Sequence, residues 1–406
     1  MPRPLEGIRL LDLSQGAAGP TCAMLLADLG AQVVKVEPPG GEWGRGLGPP
    51  FVGGTAAAFL AMNRNKRGIV IDVKRPGGAG VVLRLAERSD VVVESLRPGV
   101  ADRLGIGYQA MAARNPRLVY AAVSAFGQDG PWRDRPGVDG VVQAMSGLMS
   151  VTGTAGGAPV KAGVPAADMV GAMMCGQGIL AALLSRERTG RGERVDVSLL
   201  DALLAFQVVP LAMYLASGER PVPQGSAAPY AAPNEAFPTR DGHVMVAAYT
   251  PERWPRLCAA LGVPDLATDP RFDTNSKRVQ ARPALREVLE PLFRARTTAE
   301  WVTTLEDADV MCAPLLAYPE LVVQEHIECC GMLVRTAHPD IGEVRSPRNP
   351  VRLSDAPAVP AGGVPLHPGE HTGEVLADFG FGPHEVRSLV AEGVVQTASR
   401  TDPARV

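Results

Sequence analysis

The sequence predicts an α/β protein in which a large domain built on a parallel sheet is followed by a smaller α+β domain. Strand and helix patterns alternate over residues 8–124, as in parallel sheets that carry helices on both faces. A stretch rich in proline, glycine, alanine and serine then spans residues 217–236, a composition typical of linkers. A hairpin pattern and amphipathic helix patterns follow this stretch.

In the first part, short apolar runs predict strands and a period near 3.6 residues predicts helices. Ligands of such sheets bind at the carboxyl ends of the strands. The segment after the first strand and the loop after Glu94 are therefore the first places to look for a site. The strands are predicted at residues 8–13, 33–37, 69–72, 91–94 and 118–124, and the helices at 20–29 and 78–88.

Beyond the linker, residues around Asp241-Gly242 predict a hairpin over 237–248. Amphipathic patterns predict helices over 252–261, 276–293 and 298–307. We therefore expect five segments: a large domain over 1–216, a linker over 217–236, a small domain over 237–325, a linker and return to the large domain over 326–395, and a flexible tail over 396–406.

The charge and the apolar pattern of the sequence limit the kinds of partner that this protein can have. Its 40 basic and 43 acidic residues give a net charge of −3, which predicts no contact with nucleic acid or an anionic membrane. The N-terminus lacks the order of a signal peptide, so we expect a cytoplasmic protein. The most apolar run, 199–217, contains Asp201, Gln207 and Pro210, which favour a helix buried in protein over one in lipid. We expect small molecules or copies of this chain as partners.

Several kinds of site are not expected. None of the six cysteines lies in a C-x-x-C pair or near a histidine at metal-ligand spacing, so we expect buried thiols and no metal. Serine-hydrolase, zinc-protease, phosphate-loop and kinase motifs are absent from the sequence. Gly16, Gly19 and Glu37 imitate a dinucleotide motif, but Pro20 interrupts it and G-x-G-x-x-G is missing. A nicotinamide cofactor is therefore not expected.

Asp168 is the strongest candidate for chemistry. It precedes an apolar run that ends at Leu184, and we predict that it is the N-cap of a helix, where free N–H groups and the helix dipole favour the ionised carboxylate. Carboxylates serve as covalent nucleophiles. On local sequence alone, a structural helix cap is the commoner explanation. Small residues that leave room for an acyl group are Gly163, Ala166, Ala167 and Gly171.

Phrases along almost the whole chain resemble the family III CoA-transferases (the CaiB/BaiF family), which include α-methylacyl-CoA racemases. The resemblance implies a large Rossmann-like domain made from both chain ends, a smaller domain between them, and an interlocked homodimer. It also implies that the aspartate matching Asp168 attacks an acyl-CoA through covalent intermediates, with the CoA thioester as substrate and no prosthetic group. The matching phrases lie at residues 11–20, 29–37, 63–69, 90–99, 126–131, 161–171, 189–192, 196–202 and 369–372.

The same resemblance implies where CoA binds. Cationic side chains among the implied residues would pair with phosphate oxygens. On the adenine side the chain departs from the family pattern at two places: Ser95-Leu96 stands where many relatives have Asn-Phe, and Pro38 where some have arginine. The glycine-rich loop that covers the nucleophile in relatives matches only the segment around Gly225. The implied CoA-binding residues are Gly16, Ala17, Ala18, Ile71, Lys74, Ser95, Leu96, Arg97 and Arg103.

Residues 137–139 favour a transferase over a racemase. Racemases of the family resemble Gly-His-Asp here, whereas this chain has Gly137-Val138-Asp139, and two-base racemisation needs a proton carrier on each face of the substrate. Asp139 either orients the loop or the acceptor, or simply caps a helix. Arg45 either faces a dicarboxylate acceptor, by bidentate pairing, or is a surface residue.

We therefore predict a CoA-transferase that moves CoA from an acyl-CoA, with succinyl-CoA as the first donor to test, to a free carboxylic acid through Asp168. The alternatives are a racemase-type epimerase and a CoA-binding protein without catalysis. The sequence does not identify the acceptor acid.

Overall fold

The computed structural model describes residues 3–354 and 362–398, so residues 355–361 and the predicted tail from residue 399 onward lie outside the described chain. The chain divides into two units. The second comprises Met149–Val160 and Glu219–Ile327. The sequence placed 149–160 in the large domain, but the N–H of Gly225 donates to the carbonyl of Gly153 at 2.8 Å and ties this segment to the second unit. The described residues of Met1–Leu148, Lys161–Gly218 and Glu328–Val406 form the first unit.

The strands of both units, in chain order, include three that have only two residues each. They are β1 (Arg9–Asp12), β2 (Gln32–Glu37), β3 (Phe51–Val52), β4 (Thr55–Ala56), β5 (Lys66–Ile71), β6 (Val91–Glu94), β7 (Val119–Ser124), β8 (Arg194–Ser198), β9 (Asn234–Pro238), β10 (His243–Ala247), β11 (Met311–Pro314), β12 (Leu333–His338), β13 (Gly342–Pro347) and β14 (Val395–Gln396).

The helices are most numerous in the first unit. In chain order they are α1 (Ala18–Ala27), α2 (Ala57–Met62), α3 (Gly78–Glu87), α4 (Val100–Arg103), α5 (Tyr108–Arg114), α6 (Asp139–Met145), α7 (Leu148–Val151), α8 (Ala166–Thr189), α9 (Leu199–Phe206), α10 (Val208–Ser217), α11 (Arg253–Ala260), α12 (Asn275–Gln280), α13 (Arg282–Phe293), α14 (Thr298–Asp307), α15 (Tyr318–Leu321), α16 (Glu325–Cys329), α17 (Thr372–Asp378) and α18 (Pro383–Ala391).

The predicted α/β class is confirmed by the seven-stranded sheet of the first unit. Its order is β14-β5-β2-β1-β6-β7-β8, and all neighbours are parallel except β14 with β5. The chain runs outward from β1 through β2 to β5, and then continues on the other side from β6 to β8. The order therefore reverses between β1 and β6, and a crevice at such a point is the usual ligand site of an open α/β sheet.

Two apolar cores cover the two faces of this sheet. Successive residues of a strand alternate between faces: Leu10 packs with α1, α8 and α9 in one core, and Leu11 packs with α3 and α5 in the other. Strands buried on both faces read as nearly continuous apolar runs. This is why β6 and β7 could be recognised in the sequence.

A buried charge cluster lies at the carboxyl end of β1. The Asp12 carboxylate is 2.8 Å from the Lys66 ammonium and 3.9 Å from that of Lys35, and all three side chains are fully buried. Lys35 also lies 3.4 Å from the carboxylate of Glu42 and donates to the carbonyl of Ser14 at 2.5 Å. The cluster thus joins β1, β2 and β5 to the loop that follows β1.

Residues 369–372, one of the segments that match the family, hydrogen-bond the C-terminal part of the chain to the edge of the sheet. The N–H of His371 donates to the carbonyl of Gly68 at 2.9 Å, and the Gly68 N–H donates to Nδ1 of His371 at 3.2 Å. Thr372 donates its hydroxyl to the carbonyl of Gln396 at 2.6 Å. Gly369 has φ of +77°, and a Cβ there would lie 2.5 Å from the Gln396 carbonyl oxygen, so no other residue fits.

In the second unit the predicted hairpin is confirmed as the antiparallel pair β9–β10, which β11 extends. Phe237, Trp254, Phe293 and Trp301 form its apolar core with the surrounding helices. The single helix predicted over 276–293 is wrong, because it is interrupted between α12 and α13. Pro283 lies in the first turn of α13, where proline fits well but cannot continue a preceding helix.

The long helix α8 is apolar enough, by length and composition, to cross a membrane. The pair α9–α10 passes the same test only as one span, and it is bent by 73°. In the structure, α8 lies in the core of the first unit, with Ala172, Cys175 and Ile179 fully buried. The prediction that this protein has no membrane partner stays a prediction.

We expect Lys66→Met to destabilise the protein by about 3 kcal/mol, because it leaves a buried carboxylate with one distant cation. Lys277 provides the matched control, since its ion pair with Asp273 is exposed and Lys277→Met should change stability by less than ~0.5 kcal/mol. Chemical denaturation measures both. Equal stability of the two variants would show that the buried cluster does not hold the sheet together.

Candidate active site

Asp168 lies in the first turn of α8, but the prediction that it is the N-cap is wrong. The helix begins at Ala166 and its N-cap position is Pro165. The cap comes instead from another helix: Oδ1 of Asp139 accepts a hydrogen bond from the Ala167 N–H at 2.8 Å. Since Asp139 satisfies this free N–H group, Asp168 is not needed for capping.

A buried glutamine holds Asp139 and the segment before Asp168 together. Gln143 is completely buried, and its Nε2 donates to Oδ2 of Asp139 at 2.7 Å and to the carbonyl of Val164 at 3.3 Å. Its Oε1 accepts from the Ala162 N–H at 2.9 Å. Sequence analysis missed Gln143, although its spacing of four residues from Asp139 on one helix face was a usable signal.

The environment of Asp168 favours the protonated carboxyl group, contrary to the sequence prediction. Burial, and secondarily the negative charge of Asp139, raise the pKa of Asp168 from 3.8 to about 6. Within the part of the chain that the structure describes, the Asp168 carboxyl makes no hydrogen bond. An ionised Asp168 is therefore an unpaired, partly desolvated carboxylate, which is a stronger nucleophile than a solvated one.

The predicted loop after β1 has a fixed backbone. The Gly16 N–H donates to the Glu42 carboxylate at 3.1 Å, and Gly16 has φ of +83° with the Trp43 ring against it. Ala17 is the N-cap of α1, which begins at Ala18. The Gln15 N–H donates to the Ser95 hydroxyl at 2.8 Å, and that hydroxyl donates to the Gln15 carbonyl at 3.1 Å. Ser95 thus joins the two loops at the crevice of the sheet.

A cavity of about 310 Å³ lies beside these loops. It unites Ser95, Leu96 and Arg97 with Val138, the neighbour of Asp139. Arg133 and Arg135 also line it, and sequence analysis missed both because only the folded chain brings residues 95–97 and 133–138 together. Three arginines around one cavity suit a phosphate-bearing ligand.

Glu94 lies directly before this cavity at the end of β6. Burial raises the pKa of its carboxyl group from 4.5 to about 7, although the Leu96 N–H donates to it at 2.6 Å. Glu94 thereby fixes the backbone that presents Leu96 to the cavity. The sequence indicated the loop after Glu94 but not this role of its side chain.

The remaining predicted CoA-binding residues do not line the cavity. Ile71 is buried at the end of β5, and Lys74 and Arg103 are exposed. Gly225 belongs to the second unit, with φ of +66° and open space around it. No cluster of three or more metal-ligating side chains occurs in residues 3–354 and 362–398.

The expectation that Arg45 is a surface residue or a free partner for an acceptor is wrong for this structure. Its guanidinium group forms a two-pronged ion pair with Glu37 at 2.6 and 2.7 Å. It also donates to the carbonyls of Pro365 and Leu366 and lies 4.2 Å from the centroid of the Phe59 ring. Arg45 therefore anchors the returning C-terminal segment to β2.

Known proteins resemble this chain over nearly its full length. The family described as CoA-transferase family III matches residues 5–372. The chain is 35% identical to a succinyl-CoA:glutarate CoA-transferase of Mus musculus, covering 97% of this chain and 91% of the relative. It is 38% identical to an acetyl-CoA:oxalate CoA-transferase of Acetobacter aceti, covering 86% and 89%. A crystal structure of a CAIB/BAIF family protein from Brucella suis matches with a TM-score of 0.83 and 34% identity, covering 93% and 100%.

We expect Asp168→Asn to stabilise the protein by about 1–2 kcal/mol at pH 8. The pKa of Asp168 is raised on folding, so ionisation opposes folding: its cost is absent below pH ~4, grows toward pH ~6 and persists above. Thermal unfolding from pH 4 to 8 measures the difference, with the exposed Asp265→Asn as control. If Asp168→Asn were less stable than the wild type at pH 8, the ionised Asp168 carboxylate would not oppose folding, contrary to this account.

Proposed function

This chain belongs to CoA-transferase family III, and we propose that it moves CoA from an acyl-CoA donor to a free carboxylic acid through covalent intermediates on Asp168. The observation that carries the proposal is the position of Asp168. Its carboxyl group is partly buried and has no hydrogen-bond partner among the residues that the structure describes, and Asp139 caps the helix in its place. A carboxylate held in this way is free to attack a thioester.

Each step conserves the energy of an activated acyl group. The Asp168 carboxylate attacks the thioester carbonyl, the C–S bond breaks, and CoA leaves as a thiolate, which gives an acyl-aspartyl anhydride. The thiolate attacks the aspartyl carbonyl, which releases the donor acid and leaves an aspartyl-CoA thioester. The acceptor carboxylate displaces CoA in the same way, and the thiolate then takes the acceptor acyl group and frees Asp168. Nucleophilic attack requires the carboxylate, so the first step is fastest above pH ~6.

The cavity of about 310 Å³ supports a site for the CoA moiety. Arg97, Arg133 and Arg135 supply cations for phosphate groups. The loop with Gly16, held by Glu42 and Ser95, offers rigid backbone beside it. Val138 lies at the same cavity and is 62% exposed, so a group without an acid–base function stands beside Asp139.

The relatives suggest the first substrates to test. The mouse relative is named for succinyl-CoA and glutarate, and the Acetobacter aceti relative for acetyl-CoA and oxalate. Succinyl-CoA is our first donor, and small dicarboxylates are the first acceptors. Arg45 does not support an acceptor contact, since Glu37 and two carbonyls occupy its nitrogens.

We also propose that the protein acts as an interlocked homodimer in the cytoplasm. The helices α8, α9 and α10 expose many large apolar side chains, whereas monomers rarely expose large contiguous apolar patches. A second copy of this chain would cover them. They include Met173, Met174, Leu184, Phe206, Val208, Met213 and Leu215.

We expect the wild type to form glutaryl-CoA or oxalyl-CoA from succinyl-CoA and the free acid, and Asp168→Asn to lower kcat by at least ~10³-fold. Liquid chromatography with mass spectrometry measures the products, and Asp265→Asn should transfer at the wild-type rate. Substantial transfer by Asp168→Asn would contradict the mechanism. Exchange of the α-proton of 2-methylacyl-CoA in deuterated water, without transfer to any acid, would establish the racemase alternative instead.

We expect light scattering to give a mass near twice 42.6 kDa. Phe206→Glu combined with Leu215→Glu places charges on the exposed apolar helices and should yield monomers. Val390→Glu, on the exposed face of α18, is the control and should leave the mass unchanged. A monomeric wild type at micromolar concentration would rule out the homodimer.

A further inference from the structure

We propose that Gln143 is a positioning residue for group transfer: through Asp139 it holds the first turn of α8 so that the Asp168 carboxylate faces the thioester. The inference rests on the proposed function, because it gives Asp168 the role of nucleophile. Gln143 does not touch the substrate in this proposal. Its side chain acts through two backbone groups and one carboxylate, and that carboxylate binds a third backbone group.

Helix α6 fixes the orientation of the Asp139 carboxylate. Asp139 and Gln143 lie four residues apart on this helix and therefore on the same face. One amide hydrogen of Gln143 bonds Oδ2 of Asp139 at 2.7 Å. The other carboxylate oxygen of Asp139, Oδ1, accepts a hydrogen bond from the Ala167 N–H at 2.8 Å. Both carboxylate oxygens of Asp139 therefore accept hydrogen bonds, which fixes the rotation of the carboxylate group.

Gln143 also holds the segment that leads into α8. Gln143 accepts from the Ala162 N–H at 2.9 Å and donates to the Val164 carbonyl at 3.3 Å. With the hydrogen bond from the Ala167 N–H to Asp139, three backbone groups within residues 162–167 are bound by side chains of α6. Asp168 is the next residue. The direction of the Asp168 side chain therefore depends on α6, on which both gripping residues lie.

The amide group of Gln143 is fully bonded in its buried position. A fully buried amide is costly unless its donors and acceptor are bonded, and an apolar side chain of similar size would fill the same space. In Gln143 both donors and the acceptor are used. Since nucleophilic attack depends steeply on placement, with a displacement of about 1 Å costing up to ~100-fold in rate, this bonding acts on kcat.

The test compares two buried glutamines. Gln143→Met keeps the volume and removes the bonds, and we expect kcat to fall ~10- to 100-fold while KM for succinyl-CoA changes less than ~2-fold. Gln207 is the matched control, because it is also buried and donates to the carbonyls of Ser146 and Leu203. Gln207→Met should retain the wild-type kcat. Equal kcat values for the two variants would overturn the proposal.

Gln143→Glu supplies a readout that a purely structural role would not move. An ionised glutamate cannot donate to Asp139 and repels it, whereas a protonated one restores a donor. We expect its kcat, relative to the wild type at the same pH, to recover as the pH falls from 8 to 6. A constant ratio across this range would overturn the proposal, and so would a loss confined to KM. This variant also decides the question if Gln143→Met does not fold.

The failures are distinguishable. If the wild type transfers CoA through Asp168 but Gln143→Met equals it in kcat, the positioning role alone is wrong. If the wild type does not transfer CoA to any acid, the proposed function fails and the positioning role fails with it.

Discussion

The ion pair between Asp12 and Lys66, buried at the carboxyl end of β1, is the interaction on which the site depends. Two ammonium groups and two carboxylates share this region without solvent, and such a cluster is stable only while every partner is present. Burial lowers the pKa of Lys66 from 10.5 to about 8, whereas the two lysines hold the pKa of Asp12 below its ordinary value despite burial. The loop that includes Gly16 is fixed because it is bonded to this cluster.

The second constraint is that Asp139 and Asp168 have different roles. Asp139 makes the hydrogen bond that caps the helix, and the partly buried Asp168 carboxyl has no hydrogen-bond partner within residues 3–354 and 362–398. Desolvation and the nearby charge of Asp139 raise the pKa of Asp168 to about 6, which lowers the stability of the fold and increases the reactivity of the carboxylate. Such a trade of stability for reactivity is common at active sites. Gln143 keeps the two carboxylates in their separate roles.

The sequence predicted the parallel sheet well, because buried strands are local patterns, but it placed Asp168 at the N-cap of α8 and not in its first turn. It failed where the partner was distant. The cap of α8 comes from Asp139, 28 residues before Ala167, and Arg45 meets carbonyls 320 and 321 residues away. The cavity arginines Arg133 and Arg135 become neighbours of Ser95 only on folding. No local pattern reports such contacts.

The most direct test is the intact mass of the protein after mixing with succinyl-CoA, followed by hydroxylamine trapping and peptide mapping. We predict a covalent adduct that hydroxylamine converts to a hydroxamate on Asp168, and none on Asp168→Asn. Transfer of CoA by the wild type without any adduct, or with an adduct on another residue, would contradict a covalent role for Asp168.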